Sequence, residues 1–228
     1  MSRMQTWTNN DLYLNQHLAH EDEALKNALA NSRANNLPEW EVSPTQGKFL
    51  YLLAKMKNAK RILEIGTLGG YSTIWLARAI PKDGVVVSLE YEELYANVAR
   101  QNIEYAGLTH KVKIVQGAAI DSLNKMIIEK AEPFDMIFID ADKPNNPNYL
   151  KLSLKLSKPG TVIFGDNVIR NGELCNPDNP DPKVTGTREF IEDLGKLKNV
   201  ESTALQTVGI KGYDGFTLSV VNEAGKLE

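Results

Sequence analysis

The sequence has little of what would mark a secreted or membrane protein. It has one cysteine, Cys175, so no internal disulfide can form. That cysteine lies in a polar loop without neighbouring Cys or His, and we interpret it as incidental. Nowhere do about 18 apolar residues follow one another, as a membrane span requires, and residues 1–10 lack the apolar stretch of a secretory signal. The sequence therefore predicts a cytoplasmic protein without a membrane partner.

An excess of basic charge is also missing. The chain has 26 Lys and Arg against 29 Asp and Glu, a formal net charge of -3, and no basic run forms the stripe that a phosphate backbone requires. We expect no nucleic-acid partner. With 228 residues, 42% of them hydrophobic and 24% charged, the chain is suited to one compact domain with a substantial core. We therefore predict a single domain covering residues 1–228.

Short segments rich in Val, Ile and Phe alternate with helical segments from residue 62 onward. Their nearly continuous apolarity is typical of strands buried on both faces. Strand and helix in alternation predict right-handed crossovers and a doubly wound α/β domain with a mostly parallel sheet. The predicted strands are 62–65, 85–89, 112–115, 136–139 and 161–164, and the predicted helices are 71–79, 94–106, 120–130, 148–156 and 188–197.

The two ends of the chain have different patterns. Apolar residues at near-helical spacing in 9–35 and 45–56 predict helices, so we expect residues 1–57 to form an N-terminal helical segment packed on the domain. Near the C-terminus, extended segments 201–207 and 215–221 flank a turn-rich connection at 209–214 and predict a hairpin. We expect an antiparallel strand there to close the sheet, and the Pro/Asp-rich residues 176–182 to form a loop.

A glycine-rich turn at residues 66–70 joins the first predicted strand to a helix. Ligands of open α/β sheets bind beyond the carboxyl ends of the strands, where glycines let the backbone approach them. The second strand ends in Glu90, which could accept hydrogen bonds from the hydroxyls of a ribose. The turn reads Gly-x-x-Gly-Gly, unlike the pattern of dinucleotide folds, and the charge of Glu64 would repel a diphosphate but attract an ammonium or sulfonium. A merely connecting turn is the alternative, and the charges favour S-adenosylmethionine over NAD.

Carboxylates follow the fourth and fifth predicted strands. Asp140 follows the fourth, and Asp166 and Asn167 follow the fifth. Because adjacent parallel strands end side by side, the three could converge, and oxygen donors without His or Cys suit a hard cation such as Mg²⁺, Mn²⁺ or Ca²⁺. A single Asp at a strand end is otherwise a helix cap or a solvated loop residue. Lys143 could be a surface lysine in a local ion pair, or a base if a metal and a sulfonium lie beside it.

These residues together resemble the cation-dependent O-methyltransferases of the catechol and caffeoyl-CoA type. The resemblance extends from about Val42 to Phe216, and its most specific parts are the turn at 63–72, Glu90, the segment 138–143 and the segment 165–168. It implies a class I methyltransferase fold and transfer of a methyl group from S-adenosylmethionine to a hydroxyl of a small catechol-like aromatic compound, with a divalent cation. It also implies a homodimer, with the N-terminal helices as a contact surface.

The resemblance assigns roles to particular residues. It implies cofactor contacts at Val42, Glu64, Gly66, Thr67, Ser72, Glu90, Ala119 and Asp140, metal ligation by Asp140, Asp166 and Asn167, and a catalytic base at Lys143.

One departure from the family pattern is visible. Plant relatives usually carry a Trp in the segment where this chain has residues 169–171, Ile-Arg-Asn. This argues against a caffeoyl-CoA acceptor, and Arg170 could pair with an anionic one. The alternatives from other classes are a nucleotide-dependent oxidoreductase and a non-catalytic adenosine-binding module. The module is disfavoured because it would need neither the candidate metal ligands nor Lys143.

Overall fold

The computed structural model describes residues 2–223. In this part of the chain the helices are α1 (Arg3–Leu18), α2 (Glu23–Ala34), α3 (Pro44–Met56), α4 (Tyr71–Ala79), α5 (Glu93–Tyr105), α6 (Ala119–Ile128), α7 (Asn146–Lys155) and α8 (Pro182–Lys196). The strands are β1 (Arg61–Ile65), β2 (Val85–Glu90), β3 (Val112–Gln116), β4 (Phe134–Ile139), β5 (Ser157–Asp166), β6 (Val200–Gly209) and β7 (Gly212–Val221), and 3₁₀ turns cover Lys143–Asn145 and Arg170–Cys175. The strands form a sheet of order β3-β2-β1-β4-β5-β7-β6, which confirms the predicted doubly wound α/β fold.

The chain divides into two compact units, and the first contains the described residues up to Ala119 together with Gly209–Lys211. Within it β1, β2 and β3 are parallel, with Ile62 opposite Val86 and Val86 opposite Val112. Helix α3 packs against α4, and α2 packs against α5. The buried side chains of β1 and β2 are those expected for parallel strands covered on both faces.

The N-terminal helices begin at capping residues. Ser2 accepts a hydrogen bond from the Gln5 backbone N–H at 3.2 Å, and Asp22 accepts one from the Leu25 N–H at 3.1 Å. The predicted N-terminal helical segment is therefore present, although α1 begins earlier than the apolar pattern indicated. None of the α1 residues Arg3–Leu18, all of them described, is buried.

The second unit contains Ile120–Val208 and the described residues from Gly212 onward. Strands β4 and β5 are parallel, while β5 and β7 are antiparallel, which confirms the predicted antiparallel strand near the C-terminus. Three aromatic rings connect these strands: Phe164 contacts Phe138 edge-on at 5.6 Å and stacks on Phe216 at 4.6 Å between ring centroids. That the whole chain acts as one domain stays a prediction.

Several predicted boundaries were wrong, and two of the differences have a clear local cause. Helix α8 begins at Pro182 instead of residue 188, because Asp181 accepts the Lys183 N–H at 2.8 Å and proline is favoured in the first helical turn. The predicted connection 209–214 is shorter, since only residues 210–211 separate β6 from β7 and Gly212 has a φ of 100°. Asp214 consequently lies in a strand and not in a turn.

In the stretch from residue 2 to residue 223, no helix combines the length and apolarity needed to cross a bilayer. Cys175 has a free and exposed thiol. The cytoplasmic location stays a prediction.

Candidate active site

The turns after β1 and β3 extend the hydrogen bonding of the sheet. The Gly66 N–H donates to the Leu89 carbonyl at 3.0 Å, and the Gly117 N–H donates to the Glu90 carbonyl at 2.8 Å. Gly66 and Gly117 have φ angles of 102° and 131°, a region that favours glycine. The carboxyl ends of β1, β2 and β3 therefore lie at one edge of the first unit. This edge brings Gly66, Glu90 and the start of α6 at Ala119 together.

Glu90 supports the glycine turn, a role that the sequence did not indicate. Its Oε2 accepts the backbone N–H groups of Thr67 at 3.2 Å and Leu68 at 2.8 Å, and its Oε1 accepts the Glu92 N–H at 2.9 Å. A carboxylate has about four acceptor sites, so these three bonds leave capacity for a ligand hydroxyl. The contact between Glu90 and a ribose stays a prediction.

Glu64 is fully buried in β1, and hydroxyl groups surround its carboxylate. Ser72 donates to Oε1 at 2.6 Å, while Thr73 and Ser88 donate to Oε2 at 2.5 and 2.6 Å. A buried charge needs such partners to offset its lost hydration. Thr73 and Ser88 were not predicted as site residues, although a serine inside the apolar run of β2 was a usable signal.

Two predicted cofactor contacts direct their hydroxyls to protein partners. The Ser72 hydroxyl binds Glu64, and the Thr67 hydroxyl lies 2.5 Å from that of Ser88. Both residues belong to the turn between β1 and the first turn of α4. The structure therefore places them at the predicted edge, with their hydroxyls ordering the turn.

Val42 lies in the connection between α2 and α3 and is buried. Ion pairs hold this connection: Arg33 lies 2.7 Å from Glu41, and Lys211 lies 3.4 Å from the same carboxylate. The hydrogen bond to Glu41 raises the pKa of the Arg33 guanidinium. Lys211 Nζ also donates to the Glu39 carbonyl at 2.8 Å. These contacts fix the chain just before Val42.

The second unit carries the other predicted site residues. Ile139 of β4 is paired with Gly165 of β5, so the next residues, Asp140 and Asp166, end neighbouring strands at the same level. Neighbouring strands lie about 4.8 Å apart. Asp166 is buried, and its Oδ1 accepts the Asn167 N–H at 2.8 Å. The two residues therefore occupy the ends of adjacent strands at one level, and their role as metal ligands stays a prediction.

The chemistry of these donors fits a hard divalent cation. Among residues 2–223 no three His, Cys, Asp or Glu side chains cluster as a metal site. The predicted set, however, consists of two carboxylates and the amide of Asn167. Mg²⁺ is usually bound by one or two carboxylates and completes its shell with substrate and water, so a set of three oxygen donors suits it.

Lys143 is buried and not the surface lysine of the simpler interpretation. Its Nζ donates to Asp140 Oδ1 at 2.9 Å. Lys143 begins the 3₁₀ turn that follows Asp142. The Asp142 carboxylate stabilises this turn, because it accepts hydrogen bonds from the Asn145 side-chain amide at 2.7 Å and from the Tyr149 hydroxyl at 2.5 Å. Burial, together with the bond to Asp142, raises the pKa of Tyr149.

Helix α8 approaches the backbone of the Lys143 turn closely. A Cβ atom at Gly186 would lie 2.5 Å from the Lys143 carbonyl oxygen and 2.7 Å from Pro144 Cα. Both neighbours are backbone atoms, which cannot move aside as a flexible side chain can. The absence of a side chain at Gly186 therefore lets α8 fix the position from which the Lys143 side chain extends.

Comparisons with known proteins agree with this architecture. An O-methyltransferase family model matches residues 15–220. The catechol O-methyltransferase of Niastella koreensis is 50% identical over 211 residues, covering 92% of this chain and 96% of its own length. The catechol O-methyltransferase of Mycobacterium tuberculosis is 46% identical over 211 residues, covering 92% and 94%. The crystal structure of the O-methyltransferase from Bacillus cereus in complex with SAH has a TM-score of 0.95 and 54% identity, covering 96% of this chain and 100% of that one.

The chain therefore belongs to the O-methyltransferase family. The predicted family, the class I methyltransferase fold and the prediction of a methyltransferase enzyme are confirmed. The alternatives of an oxidoreductase and of a non-catalytic adenosine-binding module are not favoured by these relatives.

Proposed function

We propose that the protein uses S-adenosylmethionine and a divalent cation to methylate one hydroxyl of a small catechol-like aromatic compound. The observation that carries the proposal is the paired ending of β4 and β5. There Asp140 and Asp166 lie at the same level, Asn167 follows directly, and the buried Lys143 ammonium contacts Asp140 at 2.9 Å. Oxygen donors beside a buried lysine suit the binding and deprotonation of an acceptor hydroxyl.

The proposed cofactor site uses the edge of the first unit. The residues assigned to the cofactor are Val42, Glu64, Gly66, Thr67, Ser72, Glu90, Ala119 and Asp140. Glycine at 66 lets the backbone approach the ligand, and Glu90 has remaining acceptor capacity for ribose hydroxyls. The buried charge of Glu64 attracts an ammonium or sulfonium. The SAH complex of the Bacillus cereus relative supports this assignment.

The proposed cation site uses Asp140, Asp166 and Asn167 with Mg²⁺, Mn²⁺ or Ca²⁺. A cation held by these three residues would lower the pKa of the acceptor hydroxyls from the roughly 10 of a phenol. Asp140 and Asp166 supply the negative charge for this site from adjacent strands. A catechol satisfies the site with two oxygens, whereas a monohydroxy phenol offers one.

Lys143 is the proposed base. An ammonium has no lone pair, so Lys143 takes the acceptor proton as the neutral amine, whose N–H groups can still donate to Asp140. The acceptor oxygen then attacks the methyl carbon of the sulfonium in line. The O–C bond forms as the C–S bond breaks, which leaves S-adenosylhomocysteine and a methyl ether. Fixing the reactants in this near-attack geometry contributes on the order of 7–11 kcal/mol.

Catechol and phenol as matched acceptors test the proposed substrate class. With Mg²⁺ and S-adenosylmethionine, we expect catechol to give one methyl ether per S-adenosylhomocysteine, and phenol to give almost none because it presents a single oxygen to the cation. Mass spectrometry of both products measures this. Calorimetry should detect binding of S-adenosylmethionine and not of NAD. Equal rates with phenol and catechol would contradict the proposal.

Assembly as a homodimer through α1 is part of the proposal. This helix exposes large apolar side chains that a second copy would cover, namely Leu12 at 49%, Tyr13 at 64%, Leu14 at 40% and Leu18 at 66%, and Leu14 and Leu18 lie one turn apart on the same face. Light scattering is expected to give twice the chain mass. Replacing Leu14 and Leu18 with Glu should give the mass of one chain, and a wild-type protein that already has this mass would contradict the proposal.

A further inference from the structure

The chain leaves β5 through a turn with an uncommon backbone conformation. Asn167, Arg170 and Asn171 have φ angles of 56°, 54° and 56°. Residues other than glycine rarely adopt this region, and they remain there only when the surrounding structure holds them. The turn begins at Asn167 and directly follows Asp166, so the conformation of its backbone decides where these two side chains present their oxygens.

Asp214 holds this turn from β7. Its Oδ1 accepts the backbone N–H groups of Ile169 at 2.8 Å and Arg170 at 3.1 Å, and also that of Gly215 at 3.0 Å. The Val168 N–H donates to the Gly215 carbonyl at 3.0 Å. One carboxylate oxygen therefore accepts hydrogen bonds from three backbone N–H groups and links the turn to β7.

The strand that carries Asp214 is itself fixed against β5. Phe216 is paired with Asp166 in the antiparallel ladder. At Gly215 a Cβ atom would contact the Leu205 carbonyl and would lie 2.6 Å from Ile169 Cγ1, so β7, β6 and the turn pack closely there. Asp214 thus connects a rigid strand with the residues that directly follow the proposed metal ligands.

We propose that Asp214 is a positioning residue for metal binding, which rests on the proposed metal dependence. By fixing the backbone at residues 168–170, its carboxylate holds Asn167 and Asp166 where both oxygens reach one cation. Mg²⁺ demands near-ideal octahedral geometry, and the loss of groups that orient ligands typically weakens metal binding about 10–100-fold. A residue that only stabilised the fold would leave the metal affinity of the folded protein unchanged.

Mn²⁺ binding in the absence of an acceptor tests the inference. Electron paramagnetic resonance measures free Mn²⁺ during titration of the full chain. We expect Asp214→Ala to raise the Kd for Mn²⁺ by about 10–100-fold and to leave the Kd for S-adenosylmethionine unchanged. Asp214→Asn should rescue most of the affinity, because an amide oxygen accepts the same N–H groups. Asp181→Ala is the matched control, since it removes a carboxylate that caps a backbone N–H in another turn of the same unit.

The outcomes separate the inference from the proposed function. If the wild-type protein and the Asp214→Ala variant bind Mn²⁺ equally well, the role of Asp214 is overturned and the proposed metal dependence is not. Wild-type protein that does not bind Mn²⁺ overturns the proposed metal dependence and the inference with it. If circular dichroism shows that the alanine variant is unfolded, Asp214→Glu decides, because it keeps the charge and moves the carboxylate by one methylene. An unchanged Mn²⁺ affinity in that variant also overturns the inference.

Discussion

Replacing Lys143 with Met is expected to lower kcat by about 10²–10⁴-fold, the usual contribution of a general base. Met fills a similar volume in the buried position but cannot accept a proton. Lys143 is not among the residues assigned to the cofactor, so the Kd for S-adenosylmethionine should change little. Single-turnover rates measure the chemical step, and calorimetry measures cofactor binding.

The Lys143→Arg variant distinguishes a catalytic base at residue 143 from a residue that only forms an ion pair. Arginine retains the positive charge for Asp140 but stays protonated, so it cannot serve as a base. An Arg variant as slow as the Met variant supports the base. If the Arg variant retains the wild-type kcat, Lys143 acts only as a cation. Lys151→Met, at a half-exposed lysine that pairs with Asp193 in the same unit, is the control and should keep its activity.

The strand ends were predictable because they follow from the hydrophobic pattern. Each parallel strand is a short apolar run, and the first polar residue after it marks the carboxyl edge of the sheet. Asp140 and Asp166 are such residues, so their chain positions were enough to place them on adjacent strand ends once β4 and β5 were recognised. Their pairing at one level depends on register, which the sequence alone does not specify.

The hydrogen bonds that support the site residues could not be predicted from the sequence, because they join residues far apart in the chain. Ser88 and Thr73 reach Glu64 across 24 and 9 positions of the chain, and Asp214 reaches Ile169 across 45. Such bonds depend on which strands become neighbours, and single residue types carry little signal for them. Asp214 was also assigned to a turn, because Gly and Asp are favoured there. Its role is visible only with β7 placed against β5.

Replacing Asp166 is the second change with a large expected effect on the methylation rate, because Asp166 is a proposed ligand of the cation. Chelation with EDTA is expected to stop methylation of catechol by the wild-type protein, and added Mg²⁺ should restore it. At saturating Mg²⁺, Asp166→Ala should be about 10³-fold slower, because the loss of several kcal/mol of charge stabilisation corresponds to a factor of this order. Initial rates over a range of Mg²⁺ concentrations measure both effects.

Two further variants show whether the loss of activity in Asp166→Ala comes from the lost charge or from a change in the local backbone. Asp166→Asn keeps an oxygen that can accept the Asn167 N–H but removes the negative charge, so it should need more Mg²⁺ and lose less activity than the alanine variant. Asp193→Ala removes an acidic residue that pairs with Lys151 and Lys196 on the surface, and it should behave as wild type. The activity of an enzyme without a metal requirement would depend neither on EDTA nor on the charge at residue 166. Full activity of Asp166→Ala in metal-free buffer would therefore exclude the cation from the reaction.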